Sequence, residues 1–484
     1  MIRKNREILL IIGFFTLIRL LVSPTFGLGV DEAHYVLYGK YLDWSYVDHP
    51  PLVGWIHALF YYTLGTGSFL ARLPAIIIFA LASFFSYRFI LSFSGSINIA
   101  LTGVLALNGA FMLNALSIML LPDSILFVLI FPLIWLTKRI VSDGRFRDFV
   151  LLGIVLGLAG LTKYTAILFV PPIVIYLIIK KRYNLIFSWQ MIFAAFLAVL
   201  MVTPVIYWNM NHDFISFRYQ TGHLLGPATI SLEKPLVTLA AQFGAYSPFL
   251  FLIAFYGFFK GLRRSDGHRD DGITLTMLFG GVMYAFFLYS SLYETGLPHW
   301  TSLFYLLFIP IGVFYMMNDP TPFKRKFLKT SLWFSLSLTL FLYAALAVNI
   351  FTFPDYKSPF LDIYGYETIA KEANEVFKAN SHPQKGLAVS NWTMGSRVIY
   401  YSLPYDMPVF VIDDRIDQFD IWQKASPAGY DLLFFNTHNT RLNLEKDVLC
   451  DQVCPAKTID ITLNGGKVDT IDFLWCMNYR GIKK

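Results

Sequence analysis

The residues best suited to chemistry are carboxylates and cations standing between long apolar stretches. Asp31 and Glu32 follow the first such stretch, and Asp48 and His49 come soon after, in the run Tyr46-Val47-Asp48-His49-Pro50-Pro51. A carboxylate so placed can take a proton from a hydroxyl as a general base. Lys163, Arg218, His223 and His299 stand at later breaks in the apolar pattern, and Arg19 near the end of the first stretch. Cationic donors of this kind stabilise charge growing on a leaving group, most strongly in a dry site. Asp123 opens another apolar stretch and can orient Lys163 or an acceptor. Each residue also has a plainer reading. Asp31 and Glu32 suit the N-cap and acidic first turn of a helix, a stabilisation of roughly 1 kcal/mol, and Asp123 suits an N-cap. Lys163 can snorkel to headgroups, His299 can simply head a span, and Arg218 and His223 can lie solvated in the loop SFRYQTGHLLG. Arg19 is harder to set aside, because an Arg at membrane depth requires a partner; the carboxylates of the next loop or a lipid phosphate would serve.

The elements holding these residues are membrane spans. Of 484 residues, 56% are hydrophobic and only 15% charged, against about 25% charged in soluble chains. The shortage is confined to residues 8–351, which form one apolar run after another, each near or above the roughly 20 residues of a bilayer crossing. Spans are expected near 8–22, 71–91, 98–118, 123–138, 149–162, 165–179, 188–208, 236–259, 273–292, 300–317 and 328–350, about eleven in all. The pair at 149–179 is short for two crossings and suits half-helices broken between Thr162 and Thr165. No small-residue cleavage site follows the basic start and first apolar stretch, so these read as a retained span rather than a signal peptide. With the N-terminus inside, the cytoplasmic segments hold eighteen Lys and Arg and the outer loops four, the bias that fixes orientation in membrane proteins. It also accounts for the net charge of +7 without a nucleic-acid partner. The candidate carboxylates, imidazoles and cations then share the outer face, together with Asp43, His212, Asp213 and Glu294.

The outer loop 23–70 has structure of its own. Tyr35, Tyr38, Tyr41 and Leu42 recur at helical spacing, as do Leu52, Trp55, Ile56, Leu59 and Phe60. These predict two amphipathic helices in the membrane interface, with Tyr and Trp at headgroup level. Pro50 and Pro51 start the second, where a missing N–H costs nothing.

The ordered set Asp31-Glu32, YVDHPP and ARLPA (Ala71–Ala75) resembles the protein-O-mannosyltransferase superfamily of GT-C glycosyltransferases, which includes the lipid A aminoarabinose transferases. LPDSILF at Leu121–Phe127, GLTKYT at Gly160–Thr165, LPHW at Leu297–Trp300 and RIDQFDIW at Arg415–Trp422 continue the resemblance over most of the chain. Only the Asp-Glu and DHPP combination is specific taken alone. The resemblance implies an inverting transfer of sugar from a polyprenyl-phosphate donor to a hydroxyl of lipid A or lipopolysaccharide, a surface glycan or a protein. It implies Asp31 as base, in a bacterial inner membrane, and the Lys and Arg bias puts the domain after Phe351 outside. Glu32, Asp48, His49 and Asp123 would shape the acceptor side, and Lys163, His299, Arg218 and Arg19 would hold the donor phosphate. No cofactor is specified; Asp31, Glu32, Asp48 and His49 could bind a divalent cation, and metal is left unassigned.

Residues 1–351 thus form a transmembrane domain and 352–484 a soluble one. In the latter, Glu367–Lys378 predicts an amphipathic helix with Ile369, Ala373 and Phe377 on one face. GLAVS, PVFVID and DLLFFNT predict buried strands, giving an α/β domain with a small, largely parallel sheet. Cys450, Cys454 and Cys476, the only cysteines, predict one disulfide on an oxidising face, with Cys450 and Cys454 as the expected pair and Cys476 free. Two other functions compete. A polyprenyl-linked glycan ligase or polymerase would centre its chemistry on a late outer loop, whereas the weight here lies in the first. A lipid or sugar transporter or flippase would place charges at the midplane of broken spans, often with internal repeats, and no repeat is found.

Overall fold

The computed structural model describes residues 6–65, 67–225, 229–263, 270–348, 363–413, 415–437, 442–464 and 466–483, with the backbone alone at 223–225. Its helices begin with α1 (Arg6–Val22), α2 (Val30–Lys40), α3 (Leu52–Leu64), α4 (Ser68–Ser94), α5 (Ile97–Gly109), α6 (Phe111–Leu116), α7 (Pro122–Ser142) and α8 (Phe146–Gly160). There follow α9 (Val170–Ile179), α10 (Tyr183–Ile186), α11 (Trp189–Met210), α12 (Ile215–Leu225), α13 (Glu233–Ala245), α14 (Pro248–Arg263), α15 (Asp271–Ser290), α16 (Ser302–Asn318) and α17 (Pro322–Val348). The rest is α18 (Tyr366–Ala379), β1 (Lys385–Val389), α19 (Trp392–Ser402), β2 (Val409–Val411), α20 (Gln418–Trp422), β3 (Asp431–Asn436), α21 (Leu444–Asp447), β4 (Val448–Leu449), β5 (Gln452–Leu463), β6 (Gly466–Met477) and β7 (Gly481–Ile482).

The chain divides into two compact units. One holds Met1–Leu21, Asp43–Ile56 and Arg72–Tyr343; the other holds Val22–Leu42, His57–Ala71 and Ala344–Lys484. The first is a helix bundle. Among the described residues, six helices are long and apolar enough to cross a membrane: Ser68–Ser94, Pro122–Ser142, Tyr183–Met210, Asp271–Ser290, Pro298–Asn318 and Pro322–Val348. The span expected at 236–259 is instead two helices, α13 and α14, bent by 113°. The reason is local. Ser247 takes a left-handed φ of 71°, and the residue before a proline is pushed out of the helical region, so Pro248 opens a new helix. α16 lies at the centre of the bundle, with every residue from Ser302 to Met316 buried. Close approach is made by small residues: a Cβ on Gly312 would sit 2.1 Å from Ile253 O, and one on Gly153 2.4 Å from Ala194 O. Small residues at such crossings are how helices pack where no hydrophobic drive exists between them.

The second unit is built on a five-stranded sheet, order β2-β1-β3-β6-β5. β1 runs parallel to β2 and β3, and β6 runs antiparallel to β3 and β5. The sheet is therefore mixed, not largely parallel. β5 went unseen in the sequence because most of its positions are exposed and polar, and Pro455 interrupts it at a bulge. α18 buries Ile369, Ala373 and Phe377 as its periodicity requires.

Two expectations for this unit are corrected. α2 is no interfacial helix: Glu32–Gly39 are all buried, and Ala33, Val36 and Leu37 share a core with Leu387, Val398, Leu433 and Phe473. Apolar and aromatic spacing reports burial without saying whether protein or lipid provides it. The disulfide joins Cys450 to Cys476, Cα to Cα 5.4 Å, and leaves Cys454 free. Val453 is the residue paired with Cys476 across the ladder, and Cys454 pairs with Trp475. Side chains alternate faces along a strand, so Cys454 points away from the sulfur it would need to meet.

Candidate active site

In the helical unit, the DHPP run is folded against the break that follows α8. The N–H of Leu52 donates to Leu161 O at 3.0 Å, Ser45 Oγ and Tyr164 OH lie 3.3 Å apart, and Ser216 Oγ donates to Tyr46 O at 2.9 Å. Gln220 Nε2 donates to the backbone carbonyl of Asp48 at 2.6 Å. Three segments separate in sequence, around 45–52, 161–164 and 216–220, are thereby joined. The break is real: α8 ends at Gly160, and a 3₁₀ turn, Tyr164–Phe169, precedes α9.

Lys163 stands in that break with an extended backbone. It is 7% exposed, and Nζ donates to both oxygens of Asp123, at 2.8 and 2.9 Å. Snorkelling to the headgroups is thus ruled out for this side chain. Asp123 lies in the first turn of α7, but its carboxylate serves Lys163 rather than the helix end. Lys163 Nζ also lies 5.7 Å from the centroid of the Phe287 ring, and that ring is 6.0 Å from Trp300. The LPHW turn carrying His299 therefore borders the same aromatic side chain as the Asp123–Lys163 pair. Tyr246 OH fixes the turn by donating to Pro298 O at 2.9 Å. His299 itself is half-buried.

A polar and aromatic cluster centres on Asp43, which the sequence placed on the outer face without a role. Trp208 Nε1 donates to Asp43 Oδ2 at 2.8 Å, Trp55 Nε1 to Asp43 O at 3.1 Å, and the Trp208 ring stacks on His212 with centroids 4.0 Å apart. The signal available in the sequence was the tryptophans, whose indole N–H needs an acceptor when buried.

Arg19 is engaged by protein groups inside the bundle. It is 1% exposed. Its NH2 group donates to Asn108 Oδ1 at 2.7 Å and Asn114 Oδ1 at 2.8 Å, and Nε donates to Tyr343 OH at 3.3 Å. Its guanidinium lies over Phe79, 4.7 Å from the centroid. Neutral amides and a ring face satisfy the cation, so the anionic partner expected from the sequence is replaced by a buried polar cluster. Arg218 is exposed and donates to the carbonyl of Asp213, and the side chain of His223 lies outside the described residues. Asp48 and His49 are both half-buried.

In the sheet-containing unit, Asp31 and Glu32 form the first turn of α2 and divide its tasks. Glu32 is 3% exposed and its Oε2 accepts the Gly29 N–H at 2.9 Å, the reciprocal half of a capping box. Asp31 is half-buried. One turn on, His34 sits among Tyr38, Trp392, Phe419 and Trp422, with ring centroids 5.0 to 6.0 Å away, and its Nδ1 lies 3.2 Å from Ser396 Oγ. Phe419 and Trp422 belong to the RIDQFDIW run, so that motif walls the histidine that follows the Asp-Glu pair. Within it Asp417 caps α20, accepting the Phe419 N–H at 2.7 Å. Burial pushes the Asp417 carboxyl up to about 6; the Phe419 N–H opposes this, Asp413 and Asp420 add to it, and His34 opposes it. Burial raises the Asp413 carboxyl as well.

The helical unit thus combines an apolar bundle with a broken helix that carries a buried lysine–carboxylate pair. The family described as dolichyl-phosphate-mannose-protein mannosyltransferase matches residues 48–208, the stretch that carries DHPP, Asp123 and Lys163. A lipid A galacturonosyltransferase, RgtD of Rhizobium johnstonii, is 28% identical over 290 residues, 56% of this chain. The match spans 58% of that relative's length. ArnT from Cupriavidus metallidurans bound to undecaprenyl phosphate shares the fold at a TM-score of 0.68 and 14% identity, over 97% of this chain and 98% of that one. Its apo form superposes at 0.64 over the same shares. The chain thus shares the fold of ArnT and, over part of its length, sequence similarity with a mannosyltransferase family and with a lipid A glycosyltransferase.

Proposed function

We propose that the chain moves a sugar from a polyprenyl-phosphate carrier to an acceptor hydroxyl on the outer side of a bacterial inner membrane. In this reading Asp31 takes the proton of the acceptor hydroxyl while the oxygen attacks the anomeric carbon. The bond from that carbon to the phosphate oxygen breaks, the configuration inverts, and polyprenyl phosphate leaves with the electron pair. Lys163, oriented by Asp123, stabilises the charge that collects on the phosphate, with His299 as a second donor. Glu32, Asp48 and His49 shape the acceptor side.

The observation that supports this reading most directly is the burial of Lys163 in a helix break against which the DHPP loop is folded. A fixed cation in a low-dielectric setting stabilises an anion far better than one in water. The lipid A acceptor named for RgtD and the undecaprenyl phosphate named for ArnT support a lipid-type acceptor and a polyprenyl monophosphate carrier. The test is reconstitution in vesicles with lipid A and undecaprenyl-linked sugars, read by mass spectrometry. Transfer is expected from the monophosphate sugars. Transfer from diphosphate-linked glycans alone would favour a ligase. Movement of the donor across the bilayer with no new glycosidic bond would favour a flippase.

A further inference from the structure

A cavity of about 550 Å³ opens within the sheet-containing unit. Its walls are the segment 24–27, residues 67–68, the turn that leads into α18, the end of α19 and the far end of β5. The lining is rich in one residue type: Tyr364, Tyr366, Tyr400, Tyr401 and Tyr405 all face it, with Glu367 as the one charged group and no Lys, Arg or His among the described lining residues.

The walls are held in place from several directions. Tyr401 OH accepts the Leu28 N–H at 2.8 Å, and the Gly27 N–H donates to Ile363 O at 3.0 Å. A Cβ at Gly27 would sit 2.4 Å from Ile363 O and 2.8 Å from Tyr401 OH, so only glycine allows this approach. Gly365 has a φ of +89° and lets the turn close against Ile461. Arg397 stacks over Tyr366 at 4.1 Å, and the rings of Tyr400 and Tyr401 meet edge to face at 4.9 Å.

The chemistry of this lining selects its ligand. Tyrosine presents an apolar face and a hydroxyl on one rigid side chain, which suits a pyranose with its C–H faces and its rim of hydroxyls. Among the described lining residues a phosphate or carboxylate ligand would meet no cation and would face Glu367. The volume lies inside the range of roughly 300–1,000 Å³ typical of small-molecule sites. We propose that this cavity is a carbohydrate subsite for a neutral saccharide portion of the acceptor. That occupant rests on the transferase reading above. The wall at Gly27 and Leu28 leads within four residues to Asp31, so a bound saccharide is anchored on the segment that carries the proposed base.

The test uses the full chain in nanodiscs, free of glycoside detergents. Galactose, N-acetylglucosamine and maltotriose are offered as probes, with binding read by saturation-transfer NMR. At least one is expected to bind with a Kd on the order of 1 mM. Thr462→Trp, which fills the cavity from an exposed position, and Tyr405→Ala should each weaken it at least tenfold, Tyr405→Phe should bind as the parent does, and Asp31→Asn should leave it unchanged. No saturation of any probe, or native binding by Thr462→Trp, overturns the proposal. In the transfer assay Thr462→Trp should raise the acceptor KM at least tenfold with the donor KM unaltered. A native acceptor KM there removes the subsite while the transferase reading stands. Binding that follows this pattern in a chain that transfers nothing keeps the subsite and removes the transferase reading.

Discussion

Lys163 donates to both carboxylate oxygens of Asp123, at 2.8 and 2.9 Å, with each side chain less than a tenth exposed. A pair this deep is coupled to folding as well as to chemistry, because removing one partner leaves an uncompensated buried charge at a cost of about 3–5 kcal/mol. Lys163→Ala should therefore lower the melting temperature and also cut transfer at least tenfold, about 1.4 kcal/mol. Lys163→Met combined with Asp123→Leu separates the two effects, since replacing both charges with apolar groups of similar size restores stability. The double variant is expected to melt near the parent and to remain inactive. Native transfer by that variant would take Lys163 out of the site.

The carboxyl of Asp417, raised to about 6 mainly by burial, gives the stability of the fold a pH dependence of known sign. The folded state holds this proton more tightly than the unfolded chain, whose Asp titrates near 4. Its contribution is therefore greatest below about pH 4 and is lost as pH rises to about 6. Asp417→Asn keeps an acceptor for the Phe419 N–H and removes the ionisation. Melting curves at pH 4.5 and 7 should show the variant gaining over the parent at the higher pH, and equal pH slopes for the two would contradict the assignment.

The bridge between Cys450 and Cys476, 26 residues apart, is open to direct mapping. Non-reducing digestion should yield one linked peptide pair containing these two residues, with Cys454 alkylated once the chain is denatured. Cys450→Ser should cost about 3 kcal/mol for a loop of this length, and Cys454→Ser little. A peptide linking Cys450 to Cys454 would reverse this.

The membrane character, the break at Lys163 and the helix of the sheet-containing unit were legible because each leaves a local mark: an apolar run, a polar interruption, a 3.6-residue period. Asp123 and Lys163 were both visible as candidates, yet their pairing depends on how α7 meets the break 40 residues later. The partners of Arg19 are hidden for the same reason, since Asn108 and Asn114 lie far away in sequence. The strand β5 and the correct disulfide were hidden because a mostly exposed edge strand carries no apolar run, and only the register of β5 against β6 says which cysteine faces which.

Orientation is testable without any activity. The surplus of Lys and Arg on one set of loops predicts that reporter fusions after Arg145 and Lys326 read cytoplasmic, and that fusions after Trp44 and Lys234 read external. An external signal at Arg145 would move every proposed site residue to the wrong face.

The sharpest prediction concerns two adjacent residues. Glu32 is buried and its carboxylate is engaged with the Gly29 N–H, whereas Asp31, beside it in the same turn, is half-buried. Successive side chains on a helix point about 100° apart, so the two cannot both address one attacking oxygen. The capping role of Glu32 favours Asp31 as the proposed base. Asp31→Asn keeps volume and most hydrogen bonds but cannot take the proton, so transfer should fall at least 10²-fold while expression, donor binding and melting stay near the parent's. Glu32→Gln keeps an acceptor for Gly29 and loses only its charge at the helix N-terminus, a loss of about 0.3–1 kcal/mol. Its effect should appear in stability more than in rate. If Glu32→Gln is the inactive variant, or if Asp31→Asn transfers sugar at the native rate, the base is not Asp31.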